Sequence, residues 1–149
     1  MHDVGKVGIP DHILLKPGSL TPDEWVIMKT HAQLGSAAIE QAERDIDMSL
    51  DFLALAKEIA HWHHEKWDGS GYPDALTGDA IPLSARLMAL ADVFDALITP
   101  RVYKSALPYH AARDIIASER GKHFDPDMTD AFMDCFVDFI EIADRLAER

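Results

Sequence analysis

The sequence predicts an all-α fold in which residues 1–149 form a single domain, a bundle of six or seven helices. No segment alternates apolar and polar side chains over the length of a β-strand. Several segments instead repeat apolar residues at helical spacing and begin at a residue that favours a helix start. A chain of this length is long enough to bury one core.

Start signals and apolar periodicity define the individual helices. Thr21 and Glu24 form a capping box around Pro22, so a helix is expected to begin there and to end near residue 31. Asp125 and Pro126 mark the start of the last helix in a similar way. Residues 1–6 have the pattern of a helix end. Further helices are expected over 32–44, 50–64, 83–98, 108–120 and 125–146, with loops over 7–20 and 65–82.

Composition limits the classes of partner. The net charge of −12 argues against a general DNA or RNA binder, because the surface repels phosphates. A small anionic substrate remains compatible where metal ions and a few basic residues reverse the local charge. No apolar run is long enough to span a membrane. The single cysteine, Cys135, occupies a helical core pattern and fits a reducing cytoplasm.

The acidic residues of the last helix are expected to form a solvated face; they are Asp125, Asp127, Asp130, Asp134, Asp138, Glu141, Asp144 and Glu148.

Two adjacent histidines, His63 and His64, end the predicted helix 50–64 and precede a glycine-rich loop. Adjacent helix positions differ by about 100° in direction, so both imidazoles share one target only if it lies beyond the helix end. A metal ion is such a target. The alternative is a solvated helix end at which histidines interact favourably with the helix dipole.

Asp92 lies within the predicted helix 83–98, which is apolar on most sides and is therefore expected to be central and buried. A buried carboxylate is costly unless it is paired or binds a metal. Metal ligation is the favoured interpretation, and a bond to Arg86 or to a backbone amide is the alternative.

His2 and Asp3 are a second adjacent pair, and the two oxygens of Asp3 allow it to bridge two metal ions that activate a water. Lys6, one helical turn later, is placed to stabilise charge on a bound phosphate, unless it is only a solvated lysine. The remaining histidines are expected outside the site: His12, His61, His110 and His123.

Taken in order, the motifs resemble the HD-GYP domain, a subgroup of the HD superfamily of metal-dependent phosphohydrolases, nearly from end to end. They are His2-Asp3-Val4-Gly5-Lys6, His31, His63-His64, Gly71-Tyr72-Pro73, Ala91-Asp92-Val93-Phe94-Asp95-Ala96 and Phe124-Asp125-Pro126. The resemblance implies hydrolysis of cyclic di-GMP, a bacterial second messenger, to pGpG and/or GMP.

The resemblance also implies roles for individual residues. One metal ion would be held by His2, Asp3 and Asp92, and a second by Asp3, His31, His63 and His64, with iron or manganese as the metals. Asp3 and Lys6 would be catalytic. The substrate-binding residues would be Lys6, Gly71, Tyr72, Arg101 and Lys104. The family commonly has arginine in place of Lys104, so the charge is kept but bidentate phosphate binding is not.

The sequence departs from the family at its start. HD sites usually include a further histidine on an earlier helix, and only Met1 precedes His2. The domain is therefore expected to be N-terminally incomplete, and the alternative is a natural short form that binds one metal ion well and has little or no activity. In an incomplete domain, apolar surface left uncovered predicts a homodimer or poor solubility. A GGDEF-type diguanylate cyclase and a fused or separate sensor domain are the expected protein partners.

Three alternatives stay open at this point. The chain is either an active phosphodiesterase, an impaired HD-GYP signalling module that acts through protein contacts, or another HD-type nucleotide phosphohydrolase. Trp67 and Lys66 either line a pocket for a nucleobase or, in the case of Trp67, belong to the core.

Overall fold

The computed structural model describes residues 1–46, 51–100 and 105–147. These ranges contain seven α-helices of eight residues or more and a one-turn helix, and they contain no β-strand. The all-α prediction is confirmed. The helices are α1 (Asp11–Leu14), α2 (Pro22–Lys29), α3 (His31–Ile46), α4 (Asp51–Trp62), α5 (Leu83–Ile98), α6 (Tyr109–Ser118), α7 (Pro126–Asp134) and α8 (Phe136–Ala147), with short 3-10 helices at Val4–Gly8 and Gly78–Ala80.

The predicted helix starts are confirmed by their caps. Thr21 Oγ1 accepts the Glu24 N–H at 3.2 Å, and a Glu24 carboxylate oxygen accepts the Thr21 N–H at 2.7 Å, which completes the capping box. The Asp125 carboxylate accepts the Asp127 N–H at 2.8 Å at the start of α7. Helix α5 has the predicted bounds.

Two stretches differ from the prediction. The expected last helix is divided at Cys135, where φ is −105° and ψ is 22°, into α7 and α8. Residues 1–6 do not end an α-helix: Val4, Gly5 and Lys6 begin a 3-10 helix that runs to Gly8, and α1 interrupts the expected loop over 7–20.

The larger of two apolar cores lies between α5, α6, α7 and α8. Its aromatic rings meet edge to face, with the ring centroid of Phe94 5.6 Å from that of Phe132 and 5.5 Å from that of Phe139. Such pairs add to the burial of apolar area. The smaller core joins α3 to α4 through Ile39 and Ala60. The buried residues of the larger core are Leu90, Phe94, Leu97, Ala112, Ile116, Phe124, Phe132 and Phe136.

Helix α5 buries one face only, so the prediction of a helix buried on most sides is wrong. Leu83 and Leu87 are each 53% exposed, and Ala91 one turn further on is exposed as well. The other face of α5 therefore carries apolar side chains that the described part of the chain leaves exposed. Asp92 accordingly lies at the edge of the buried face with a half-buried side chain.

The acidic residues of the last two helices are not all solvated. Asp125 is buried, and its carboxylate pairs with the Arg86 guanidinium at 2.8 Å, so this part of the prediction is wrong. Asp127, Asp130 and Asp138 are exposed as expected. No helix in the described ranges has the length and apolarity that a membrane span requires.

Candidate metal centre

Six predicted ligands from four parts of the chain lie close to one another. His2 and Asp3 open the chain beside the first 3-10 helix, and His31 is the first residue of α3. His63 and His64 occupy the turn after α4, and Asp92 lies on α5. Four of these residues offer one ligand atom each, and those atoms all lie within 4.8 Å of one another: Asp3, His31, His63 and His64.

Backbone carbonyls set the tautomers of two of the histidines. The Nδ1 atom of His31 lies 2.7 Å from the Met28 carbonyl oxygen, and that of His63 lies 2.8 Å from the Ile59 oxygen. Since a carbonyl only accepts hydrogen bonds, each Nδ1 carries the proton and donates it. In the neutral form of each ring, Nε2 then presents a lone pair, as a metal ligand does.

These lone pairs point to a common place. The Nε2 atoms of His31 and His63 lie 3.5 Å and 3.9 Å from Oδ1 of Asp3. Nε2 of His63 is buried and has no hydrogen-bond partner among the described residues. A buried polar atom without a partner is costly, and a metal ion would satisfy it. The donor set therefore fits a metal ion.

His64 completes the group, with its Nε2 3.1 Å from Nε2 of His31. Burial, helped by the neighbouring His63 and His31, lowers the pKa of His64 to about 3. Burial also lowers the pKa of His63. Both imidazoles therefore stay neutral near neutral pH, which is the form that binds metals.

Asp3 stays ionised. Burial alone would raise the pKa of Asp3, but the hydrogen bond from Lys6 and the charges of Lys6, His2 and His31 outweigh it, so the pKa lies below its ordinary value. The Lys6 ammonium is 2.6 Å from Oδ2 of Asp3. A carboxylate with this charge is a suitable metal ligand.

The two oxygens of Asp3 face different neighbours. Oδ1 lies nearest to His31 and His63, whereas Oδ2 lies 3.5 Å from Nε2 of His2. That same His2 nitrogen is 3.4 Å from Oδ1 of Asp92. The carboxylate thus lies between two groups of ligands, one with His31, His63 and His64 and the other with His2 and Asp92.

Arg86 does not pair with Asp92, which removes the alternative of a bond between these two residues. The Arg86 guanidinium donates hydrogen bonds to Oδ2 of Asp125 at 2.8 Å and to Oδ1 of Asp79 at 3.2 Å. The Asp92 carboxylate therefore remains next to His2 and available as a ligand.

Two glycines bring the N-terminal ligands close to α3. A Cβ atom on Gly5 would overlap the carbonyl oxygen of His31 and would lie 2.9 Å from Cα of Gly35. The absence of side chains at both positions lets the 3-10 helix lie directly on α3. Asp3 reaches His31 as a consequence.

The Gly71-Tyr72-Pro73 segment packs directly against the histidines. The Tyr72 ring stacks on the His64 ring with centroids 4.7 Å apart and planes 21° apart. The Tyr72 N–H donates to the His64 carbonyl at 3.2 Å. A Cβ atom on Gly71 would lie 2.6 Å from that same carbonyl oxygen, so only glycine fits. Burial raises the pKa of Tyr72, and its phenol stays protonated.

The histidines expected outside the site do lie outside it. Nδ1 of His61 lies 2.8 Å from the Ser36 hydroxyl oxygen, and Nε2 of His61 lies 3.1 Å from Oδ2 of Asp74. His12 and His110 are exposed. The His123 ring stacks on the Phe124 ring with centroids 4.3 Å apart.

Trp67 has a structural role among the described residues. The Arg86 guanidinium lies over its ring, 5.7 Å from the centroid, and its backbone N–H donates to the His123 carbonyl at 3.0 Å. These contacts favour a structural position of Trp67 over a base pocket, although Trp67 belongs to neither apolar core. Arg101 and Lys104 lie outside the described residues.

The sequence reasoning missed two residues beside the site. Glu65 is 2% exposed, and its carboxylate accepts two backbone N–H groups of the following loop. Lys29 places its ammonium over the Tyr72 ring, 5.4 Å from the centroid. Neither residue stands out by spacing or by residue type, because acidic and basic residues are common next to turns.

Comparison with known proteins gives consistent matches. The HD domain family matches residues 1–128. A probable cyclic di-GMP phosphodiesterase of Vibrio cholerae serotype O1 is 58% identical over 148 residues, 99% of this chain and 34% of that protein. A cyclic di-GMP phosphodiesterase of the same organism is 57% identical over 143 residues, 96% of this chain and 29% of that protein.

A third relative from Vibrio cholerae is named 3'3'-cGAMP-specific phosphodiesterase 2. It is 44% identical over 148 residues, 99% of this chain and 27% of that protein. The chain thus spans about a third or less of the length of these relatives. With a family match over most of its length and the ligand geometry described above, the chain belongs to the HD domain family, in its HD-GYP form.

Proposed function

We propose that this chain is the catalytic part of a metal-dependent phosphodiesterase that hydrolyses cyclic di-GMP to pGpG and/or GMP. The observation that carries the proposal is the convergence of three imidazoles on the ionised Asp3 carboxylate, with Lys6 beside it. The names of the relatives at 58% and 57% identity support the choice of substrate.

The proposed centre holds two divalent metal ions. His2, Asp3 and Asp92 would hold one, and Asp3, His31, His63 and His64 would hold the other. Nitrogen and carboxylate ligands suit iron and manganese, which are the metals we propose. When bound, such ions polarise a phosphodiester and lower the pKa of a water molecule.

The chain's own groups would orient the substrate and balance its charge. The Lys6 side chain is 40% exposed, so its ammonium can contact a phosphate oxygen while it stays next to Asp3. Charge that grows on the phosphoryl oxygens is stabilised by such a cation. The protonated Tyr72 phenol is a hydrogen-bond donor next to His64.

Substrate selection belongs to the surrounding loops in this proposal. Gly71 and Tyr72 form the wall next to His64. Arg101 and Lys104 remain proposed phosphate ligands. Positive residues matter here because the chain carries a net charge of −12 and would otherwise repel a dianionic cyclic dinucleotide.

A second candidate substrate is 3'3'-cGAMP, because one relative at 44% identity is named for it. The two relatives with higher identity favour cyclic di-GMP. A GGDEF-type cyclase, a sensor domain, a homodimer and a cytoplasmic location also belong to the proposal.

The test is hydrolysis by the purified chain, prepared without oxygen and supplied with Mn²⁺ or Fe²⁺. Cyclic di-GMP and 3'3'-cGAMP are incubated separately, and the linear products are separated by chromatography. We expect metal-dependent cleavage, with the higher kcat/KM for cyclic di-GMP. Cleavage of 3'3'-cGAMP alone would change the substrate, and a folded, metal-loaded chain that cleaves neither would overturn the proposal.

A further inference from the structure

Glu65 is a buried carboxylate that immediately follows the histidine pair. Its side chain bonds to the loop rather than to a cation: the Asp74 N–H donates to Oε1 at 2.7 Å, and the Leu76 N–H donates to Oε2 at 3.0 Å. Within the described ranges no basic group lies within 4.0 Å of it. Charge-assisted bonds of this kind are stronger than neutral ones, and losing them leaves a buried charge uncompensated.

The same loop also bonds directly to the end of α4, and here the loop supplies the accepting carboxylate. Oδ2 of Asp74 accepts the Trp62 indole N–H at 2.8 Å and lies 3.1 Å from Nε2 of His61. Glu65, three residues after the end of α4, thus accepts hydrogen bonds from the loop, and the loop in turn supplies the Asp74 carboxylate to the end of α4. The loop position is therefore set by two side chains and not by its own turns alone.

The tied loop carries the ring that packs on a proposed metal ligand. Tyr72 lies between the two ends of this connection in sequence, donates its N–H to the His64 carbonyl and stacks on the His64 ring. A shift of the loop would therefore change both the backbone and the ring plane of His64.

We propose that Glu65 is a positioning residue of the metal centre: by holding the backbone at Asp74 and Leu76, it keeps Tyr72 against His64 and so increases the affinity for metal. Groups that orient a metal ligand typically change metal affinity by roughly ten- to a hundredfold. The inference rests on the proposed metal centre and not on the identity of the substrate.

The first experiment uses the unaltered chain and Mn²⁺ alone. If the loop stabilises the metal-bound centre, the metal must stabilise the loop by the same free energy. Hydrogen exchange at the amides of Asp74 and Leu76 should slow by about tenfold or more when Mn²⁺ is added. Unchanged exchange at both amides, in a sample that has bound Mn²⁺, would overturn the proposal.

The second experiment compares Glu65→Gln with Glu58→Gln. Glutamine keeps one acceptor oxygen but turns an NH₂ group towards a backbone N–H. Glu58 is a matched control because it is half-buried on α4 and accepts a hydrogen bond from the Ser84 hydroxyl instead, at 2.8 Å. Mn²⁺ affinity is measured by equilibrium dialysis, and loop opening by the rate of trypsin cleavage after Lys66.

Glu65→Gln should weaken Mn²⁺ binding by roughly tenfold or more and accelerate this cleavage, whereas Glu58→Gln should change each by less than about twofold. Faster cleavage with unchanged Mn²⁺ affinity would mean that Glu65 only closes the loop, which would contradict the proposal. If Glu65→Gln does not fold, the exchange experiment decides. Both readouts use metal without nucleotide, so they stand even if the proposed substrate is wrong.

Discussion

The Nε2 atom of His31 lies 3.5 Å from Oδ1 of Asp3, while Nδ1 of the same ring lies 2.7 Å from the Met28 carbonyl oxygen. The histidine is thus held by α2 and presented to the N-terminal segment. This relationship joins two segments that form the two sides of the proposed centre. It depends on the close approach of Gly5 to α3.

Asp3 is the carboxylate on which both groups of ligands converge, so its removal should have the largest effect. Asp3→Ala should lower metal content and reduce cyclic di-GMP turnover by roughly a thousandfold or more, since metal-assisted chemistry would be lost. Metal analysis and product chromatography measure both.

Asp11→Ala, at an exposed position on α1, is the control and should retain activity. Under the alternative of a signalling module, Asp3→Ala should instead leave partner binding unchanged. Full turnover by Asp3→Ala would refute the assigned role of Asp3.

Gly5→Ala should destabilise the chain through the overlap of its new Cβ with the backbone at His31. The atoms that this Cβ would meet are backbone atoms of α3, which have little room to move aside. We therefore expect a loss of about 3 kcal/mol in the free energy of unfolding, measured with urea. Gly8→Ala meets only the flexible end of Leu34, at 2.9 Å, and should cost less than about 1 kcal/mol. Equal losses would argue against close packing at Gly5.

The buried pair of Arg86 and Asp125 should contribute far more to stability than the exposed pair of Arg120 and Asp130. Arg86→Ala leaves the Asp125 carboxylate buried without its cation, which costs about 3–5 kcal/mol. Arg120→Ala removes a bidentate surface pair that solvent screens, so its effect on the free energy of unfolding should be much smaller. Urea unfolding of both variants measures the difference, and similar values would contradict the burial of Asp125.

The metal-free chain should lose stability as the pH falls below about 6.5. The unfolded chain protonates His64 near its ordinary pKa of 6.5, whereas the folded chain holds that pKa at about 3. Between these values the unfolded state binds the extra proton, so the folded state is most stable above this window and loses up to about 1.4 kcal/mol per pH unit.

Unfolding of chelator-treated protein between pH 7 and pH 4 provides the measurement. His64→Asn should show a shallower dependence on pH than the unaltered chain. Identical slopes would mean that His64 is not kept neutral by the fold.

The features that the sequence predicts well are those carried by local signals. The capping box at Thr21 and Glu24 and the apolar run of α5 define helix bounds without knowledge of their neighbours. The break at Cys135 was missed because apolar residues continue on both sides of it at helical spacing, with Phe132 and Phe136 both buried.

Long-range pairing explains what sequence reasoning could not reach. Asp125 was expected in a solvated face, and its burial follows from Arg86, 39 positions away in the sequence. The role of Glu65 depends on two amides of a loop whose path no motif specifies. By contrast, the six predicted metal ligands were identified because the order of their motifs resembles one family.

Metal content and cyclic di-GMP turnover, measured on one sample purified without oxygen and supplied with Mn²⁺ or Fe²⁺, test the central claim most directly. We predict up to two bound ions per chain and turnover that is lost on chelation, with metal content reduced in His31→Gln. A folded chain that binds no ion at micromolar metal, or that hydrolyses cyclic di-GMP equally well after chelation, would contradict the account.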